Sequence, residues 1–193
     1  MSKQIWEPGN MLFPVPVVMV TCGTKPEDYN IITIAWAGTI CSDPPMLSIS
    51  VRPERHSYQL IKESKEFAVN LVTKKLVASA DWCGVKSGSS FDKFKEKKLT
   101  PVKGAKVSCP LIEESPVNLE CKVKKIIQLG THDMFLADIV AVQINDQYLT
   151  PEGVLRMDKM DLVAYSHGFY YNLGKNLGKF GFSVQKKAKK KKK

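Results

Sequence analysis

Two runs of alternating apolar and polar residues within residues 30–57 organise the chain. In Ile32-Thr33-Ile34-Ala35-Trp36-Ala37 the bulky Ile32, Ile34 and Trp36 share one face and the small Thr33, Ala35 and Ala37 the other, the two-residue period of a strand. In Met46-Leu47-Ser48-Ile49-Ser50-Val51-Arg52 the same period places Leu47, Ile49 and Val51 on a core face and Ser48, Ser50 and Arg52 opposite. Asp43-Pro44-Pro45 between them predicts a tight turn. Pairing of the two strands would set small and hydroxyl side chains side by side, a shelf suited to a flat ligand. Beyond it, Ser57 followed by Tyr58, Leu60 and Ile61 predicts a short helix with Ser57 as its N-cap. A helix start with free amides beside Arg52 and Arg55 suits a phosphate.

Patterning extends in both directions from this stretch. Residues 16–21 predict a first strand and residues 23–28 a turn, while residues 66–72 return as a strand. Residues 75–83 have helical spacing, with Leu76, Ala80 and Cys83 on one face. Residues 84–94 form a glycine and serine loop ending at Lys93, which either neutralises a phosphate as a point charge or is simply solvated. After an irregular stretch at 103–110, residues 117–124 alternate strictly. Residues 134–142 run back from a turn at 130–133 as an antiparallel partner. Many strands with short turns and few helices predict a mainly β fold, an antiparallel barrel. From residue 162 onward Gly168, Gly174, Gly178 and Gly181 interrupt a run of aromatics. That is too much glycine for a lone helix and too much aromatic surface to leave in water, so it predicts packing against a second subunit.

Composition adds bounds to this picture. With 193 residues and 44% hydrophobic content, the chain has material for one core, and a single domain over residues 1–184 is expected. The formal charge of +10 raises nucleic acid as a partner, but seven of the 29 basic residues lie in residues 186–193 and leave +3 on the remainder. Residues 185–193 are expected to be a disordered lysine-rich tail, either solubilising or in contact with RNA or lipid. No specific nucleic acid and no membrane are expected as partners. No apolar run is long enough to cross a membrane and no signal-peptide core follows Met1, so a cytoplasmic location is expected. The five cysteines, Cys22, Cys41, Cys83, Cys109 and Cys121, include no Cys-x-x-Cys and read as reduced thiols, most of them buried. Cys41, beside the shelf, is the one candidate for a redox role.

Chemistry is narrowed by what the chain lacks. It has no Gly-x-Ser-x-Gly elbow, no His-Glu-x-x-His pair, no P-loop and no dinucleotide fingerprint. His56, His132 and His167 are far apart in sequence, and no metal site is expected of them. A flat shelf beside a phosphate position, with no catalytic triad, implies a ligand with a flat ring and a phosphate tail.

Asn30-x-x-Thr33-x-Ala35-Trp36, Asp43-Pro44-Pro45, Ser48 to Arg52 and Ser57-Tyr58 stand in an order that resembles the FMN-binding flavin reductase-like family of the flavoredoxin type. So do the later Glu66 to Leu71, Asp92-Lys93-Phe94, Leu119-Glu120-Cys121, Gly130 to Asp133 and His167 to Tyr171. The resemblance implies an antiparallel split β-barrel that binds FMN and works as a homodimer. It implies that Thr33, Ala35, Trp36 and Ala37 line the flavin ring and that Ser50, Val51 and Arg52 follow the ribityl chain. Ser57 and Lys93 would reach the phosphate, and His167 and Tyr170 would approach the ring from the other subunit. No protein residue is expected to be catalytic in its own right, since hydride passes directly from NADH or NADPH to the flavin. The expected function is an FMN-dependent NAD(P)H oxidoreductase with a second electron acceptor. The alternative is an FMN electron carrier that serves a redox-protein partner and reacts poorly with nicotinamides; a third reading is a nucleic-acid or anionic-surface binder using the lysine tail.

Overall fold

The computed structural model describes residues 1–185, so the expectation for the tail lies, Gln185 apart, outside the described residues. In chain order the strands and helices are β1 (Val15–Pro16), β2 (Val18–Cys22), β3 (Asn30–Ile34), β4 (Ala37–Ser42), β5 (Pro45–Val51), α1 (His56–Ser64), β6 (Glu66–Leu71), α2 (Val77–Val85) and α3 (Lys93–Lys97). They continue as β7 (Pro101–Lys103), β8 (Pro110–Ile112), β9 (Val117–Gln128), β10 (Asp133–Ile144), β11 (Val163–Ser166) and β12 (Phe169–Asn172). Seven strands form one antiparallel sheet in the order β3-β2-β6-β9-β10-β5-β4, curled into a split barrel. A three-stranded sheet β1-β11-β12 and the pair β7-β8 flank it. The mainly β, split-barrel expectation holds.

The organising stretch is built differently from its expected hairpin. β3 stops at Ile34, the chain bends at Ala35-Trp36, and it is β4 that pairs with β5 across the Asp43-Pro44 turn. β3 and β4 therefore lie at opposite ends of the seven-strand order. One backbone bond spans the gap: Ser50 N–H donates to Trp36 O at 2.9 Å. The reason is register. Once Ile32 and Ile34 point into the barrel, a continued strand would have to leave the curl, and a two-residue bend carries the chain across its mouth instead.

Alternation nevertheless assigns the faces. Ile32, Ile34, Leu47, Ile49 and Val51 meet Val18, Val20, Phe67 and Phe135 in the barrel core, with Tyr58 and Ile61 of α1 packed in beside them. The opposite faces of β2 and β3 are covered as well, because Met19 and Ile31, with Val17 just before β2, pack under Leu76 at the N-cap of α2, Ala80 and Cys83 within it and Phe94 of α3. β2 is buried on both faces for this reason. The first strand expected at 16–21 divides into β1 and β2, each pairing with a different sheet. At the start of the glycine-rich end, β11 and β12 form a regular hairpin. Among the described residues no helix is long and apolar enough to cross a membrane.

Candidate functional site

Three element ends converge beside β3: the N-terminus of α1, the C-terminus of α2 and the start of α3. Ser57 was expected to cap α1, but Arg55 holds the N-cap position and the helix begins at His56. Ser57 sits inside the first turn, buried, and its hydroxyl accepts from Asn30 Nδ2 at 2.7 Å. No side chain caps this helix, so its first N–H groups face the adjoining space.

That space is a cavity of about 330 Å³. Arg52, Arg55, Lys86 and Lys93 stand on its walls, together with Asn30, Ser57, Ser87 and Gly88. Each cation already has a partner within the chain. Arg52 Nε lies 2.8 Å from Glu54 Oε1, Arg55 donates to Gly84 O at 3.2 Å, and Lys86 Nζ lies 5.7 Å from the centre of the Phe91 ring. Lys93, read as the end of a loop, is instead the first residue of α3 and is buried. Its ammonium donates to Ile31 O at 2.6 Å and Cys83 O at 2.7 Å, satisfying an edge-strand carbonyl and a carbonyl at the negative end of α2. A lysine ammonium has three donors, so one remains for the cavity. Burial holds Lys93 below the ordinary lysine range, and neighbouring Arg55 adds to the effect. Burial also pushes the Cys22 thiol up to about 12 and Cys83 up to about 11, so both are neutral thiols at pH 7.

Two features make this cavity fit a ligand rather than water alone. Asn30 is 3% exposed, and its Oδ1 has no hydrogen-bond partner among the described residues. Amide oxygen and nitrogen are the same shape. Turned over, the Asn30 amide accepts from Ser57 and sets its N–H donors against Gly88 at the cavity wall. In addition, a Cβ on Gly88 would sit on Asn30 Oδ1, so only glycine lets the 86–92 segment close over this spot.

A second cavity of about 210 Å³ adjoins the first and shares Ile32, Arg52 and Arg55 with it. Thr33, Ala35, Trp36, Ser50 and Val51 line it, as do His132 and Tyr165. The Thr33 hydroxyl donates to Ala80 O of α2, so Thr33 offers its backbone and methyl group. Trp36, expected on the core face, has moved to this mouth as a consequence of the bend that precedes β4. Its ring lies 6.1 Å from Phe13, which in turn meets Tyr165 at 6.0 Å.

Of the eleven residues named from sequence, eight line the joined cavities: Thr33, Ala35, Trp36, Ser50, Val51, Arg52, Ser57 and Lys93. Ala37 packs against the barrel core instead. His167 and Tyr170 lie outside both cavities within one chain. His167 is exposed at the β11–β12 turn, and Tyr170 donates to Asp81 at 3.0 Å, with burial and that carboxylate pushing its phenol up to about 12. His132 and Tyr165, which had no site role from sequence, line the second cavity. The signal was present for His132, in the Gly130-Thr131-His132-Asp133 motif, but nothing in sequence distance connects it to β3.

Comparison with known proteins decides the family. Residues 10–173 match the model of the flavin reductase like domain. The chain belongs to this flavin reductase-like family. Flavoredoxin of Desulfovibrio vulgaris superposes with a TM-score of 0.88 at 30% identity, covering 95% of this chain and 100% of that one. Flavoredoxin from Methanosarcina acetivorans gives 0.84 at 27% identity with the same coverage. An uncharacterised protein of Archaeoglobus fulgidus is 31% identical over 137 residues, 71% of this chain and 76% of its own. Membership in a flavoprotein family with flavoredoxin and flavin reductase neighbours agrees with a groove that has one flat, partly apolar half and one cationic half.

Proposed function

We propose that this chain binds FMN along the two joined cavities and acts as an FMN-dependent NAD(P)H oxidoreductase passing electrons to a second acceptor. One observation carries the reading: Ile32, Arg52 and Arg55 belong to both cavities, so a flat half and an anion-binding half form one continuous groove. Thr33, Ala35, Trp36, His132 and Tyr165 would hold the ring, Ser50, Val51 and Arg52 the ribityl chain, and Ser57, Asn30 and Lys93 the phosphate at the start of α1. When bound, FMN supplies hydride and single-electron chemistry. The protein's part is to exclude water on the β3 side, leave the mouth beside Trp36 open, and supply positive charge through Arg52 and Arg55.

Flavoredoxin, the name of two structural neighbours, favours a second reading: an electron carrier that exchanges with a redox protein. Anaerobic visible spectra of the FMN-reconstituted protein separate the two. Flavin bands that bleach on adding NADH or NADPH are expected. Bands that persist until a reduced redox protein is supplied establish the carrier, and failure to retain flavin overturns both.

A further inference from the structure

The two halves of the groove are joined by more than their shared walls. Tyr58 lies in the first turn of α1, directly after Ser57, and Asp133 opens β10, directly after His132. Across 75 residues of sequence the two meet: Tyr58 Oη donates to Asp133 Oδ2 at 2.6 Å, the length of a hydroxyl-to-carboxylate bond. Both are buried, Tyr58 being 8% and Asp133 4% exposed. Asp133 also faces Val51 in the β5–β10 ladder, and Val51 lines the second cavity.

Packing alone does not account for this pair. Among the described residues the Asp133 carboxylate has no ion pair and no other hydrogen bond, although Lys62 and Lys125 stand at the same surface groove. A buried carboxylate with a single partner is costly, and two apolar side chains of the same shape would hold the barrel about as well. What the bond does secure is a turn. Residues 128–131, between β9 and β10, are exposed. Thr131 Oγ1 lies 3.0 Å from His132 Nδ1 and Leu129 N–H donates to His132 O at 3.1 Å, both contacts within the turn itself. Among the described residues Asp133 is the one side chain of this stretch hydrogen-bonded to another element. The α1 end of the bond is held independently, by Tyr58 N–H donating to Arg55 O at 2.9 Å and by the Tyr58 ring standing edge-on to Phe135 with centroids 5.5 Å apart.

We propose that Tyr58 is a positioning residue for the ring half of the groove: through Asp133 it holds His132 against the second cavity and ties that placement to the turn of α1 at the phosphate end. This role rests on the groove being a flavin site. It predicts that loss of one hydroxyl outside both cavities weakens a ligand that has the ring and lacks the phosphate.

Riboflavin titrations of the full chain and NMR of its histidine side chains test this, with His132→Gln assigning the His132 signals. Tyr58→Phe keeps the ring on Phe135 and removes only the link. It is expected to move the His132 signals of the apo chain and to weaken riboflavin at least fivefold. Tyr58→Phe/Asp133→Leu removes both polar partners, so it covers the case in which a stranded carboxylate unfolds the single variant. It is expected to melt no lower than Tyr58→Phe and still to bind riboflavin at least fivefold more weakly than wild type. Wild-type riboflavin affinity in the double variant makes the pair purely structural and overturns the proposal. A folded Tyr58→Phe chain whose His132 signals stay in place also overturns it; both results leave the flavin reading standing. A wild type that binds neither riboflavin nor FMN overturns the flavin reading and this role with it.

Discussion

Arg52 and Lys93 are both cations on one cavity wall, yet the structure gives them different work. Arg52 is exposed and, among the described residues, paired with Glu54, so its removal leaves no buried group there unpaired. Arg52→Ala, which removes a ribityl contact as well as a charge at the phosphate end, is expected to weaken FMN about tenfold or more, the worth of about 1.5–3 kcal/mol for a charged hydrogen bond, and riboflavin by a clearly smaller factor. Equal losses for the two ligands would remove Arg52 from the phosphate end. Lys93 instead staples β3, α2 and α3 together through Ile31 O and Cys83 O. Lys93→Met strands two carbonyls, and the apo protein should lose about 2–4 kcal/mol, roughly 5–10 °C in melting temperature. An unchanged apo melt would contradict the structural role. Alternation in the sequence singled out Arg52, but the burial of Lys93 is set by helices that meet only in three dimensions.

Among the elements, the segment between α2 and α3 and the loop before β8 show how single positions hold whole pieces of backbone. Gly88 approaches Asn30 so closely that Gly88→Ala must push either the loop or the amide. FMN affinity is expected to fall at least tenfold by equilibrium titration, while the apo melting temperature moves by no more than a few degrees, because the loop is largely exposed. Unaltered FMN affinity would show that the loop does not close the phosphate end. Glu120, on β9, is fully buried and accepts from the N–H groups of Ala105 at 3.0 Å, Lys106 at 2.6 Å and Val107 at 3.1 Å and from Gln143 at 2.8 Å. Burial alone would raise its carboxyl, but these donors outweigh it and hold it below the usual range. A depressed folded value means that the stabilisation is complete above the ordinary carboxylate range and is lost as pH falls through the folded value. Glu120→Gln should therefore cost on the order of 3 kcal/mol near neutrality. The gap to wild type should hold at mildly acidic pH and narrow only as the pH falls through and below the ordinary carboxylate range. A gap independent of pH would assign the cost to packing.

At the scale of the whole molecule, charge and fold separate. Without residues 186–193 the formal charge falls from +10 to +3, so that short stretch of sequence carries most of the net positive charge. A chain ending at Gln185 is expected to bind FMN within twofold of the full chain, with the same dependence on salt. A tenfold loss, or a salt slope that vanishes with the tail, would give the lysines a part in ligand capture.

The sequence by itself determined the strand faces, because a period of two leaves one choice of which side is apolar; Ile32, Ile34, Leu47, Ile49 and Val51 all reached the core that their alternation assigned. It also determined the family, through the order of its short motifs. Only the tertiary structure decided that β3 and β4 part at Trp36 to opposite ends of the sheet, that Ser57 lies within α1 and is not its cap, and that His132 and Tyr165 join Thr33 at one cavity. The physical reason is that alternation reports local environment along one strand. Which strands become neighbours, and so which distant residues share a groove, depends on how the sheet curls to close its core.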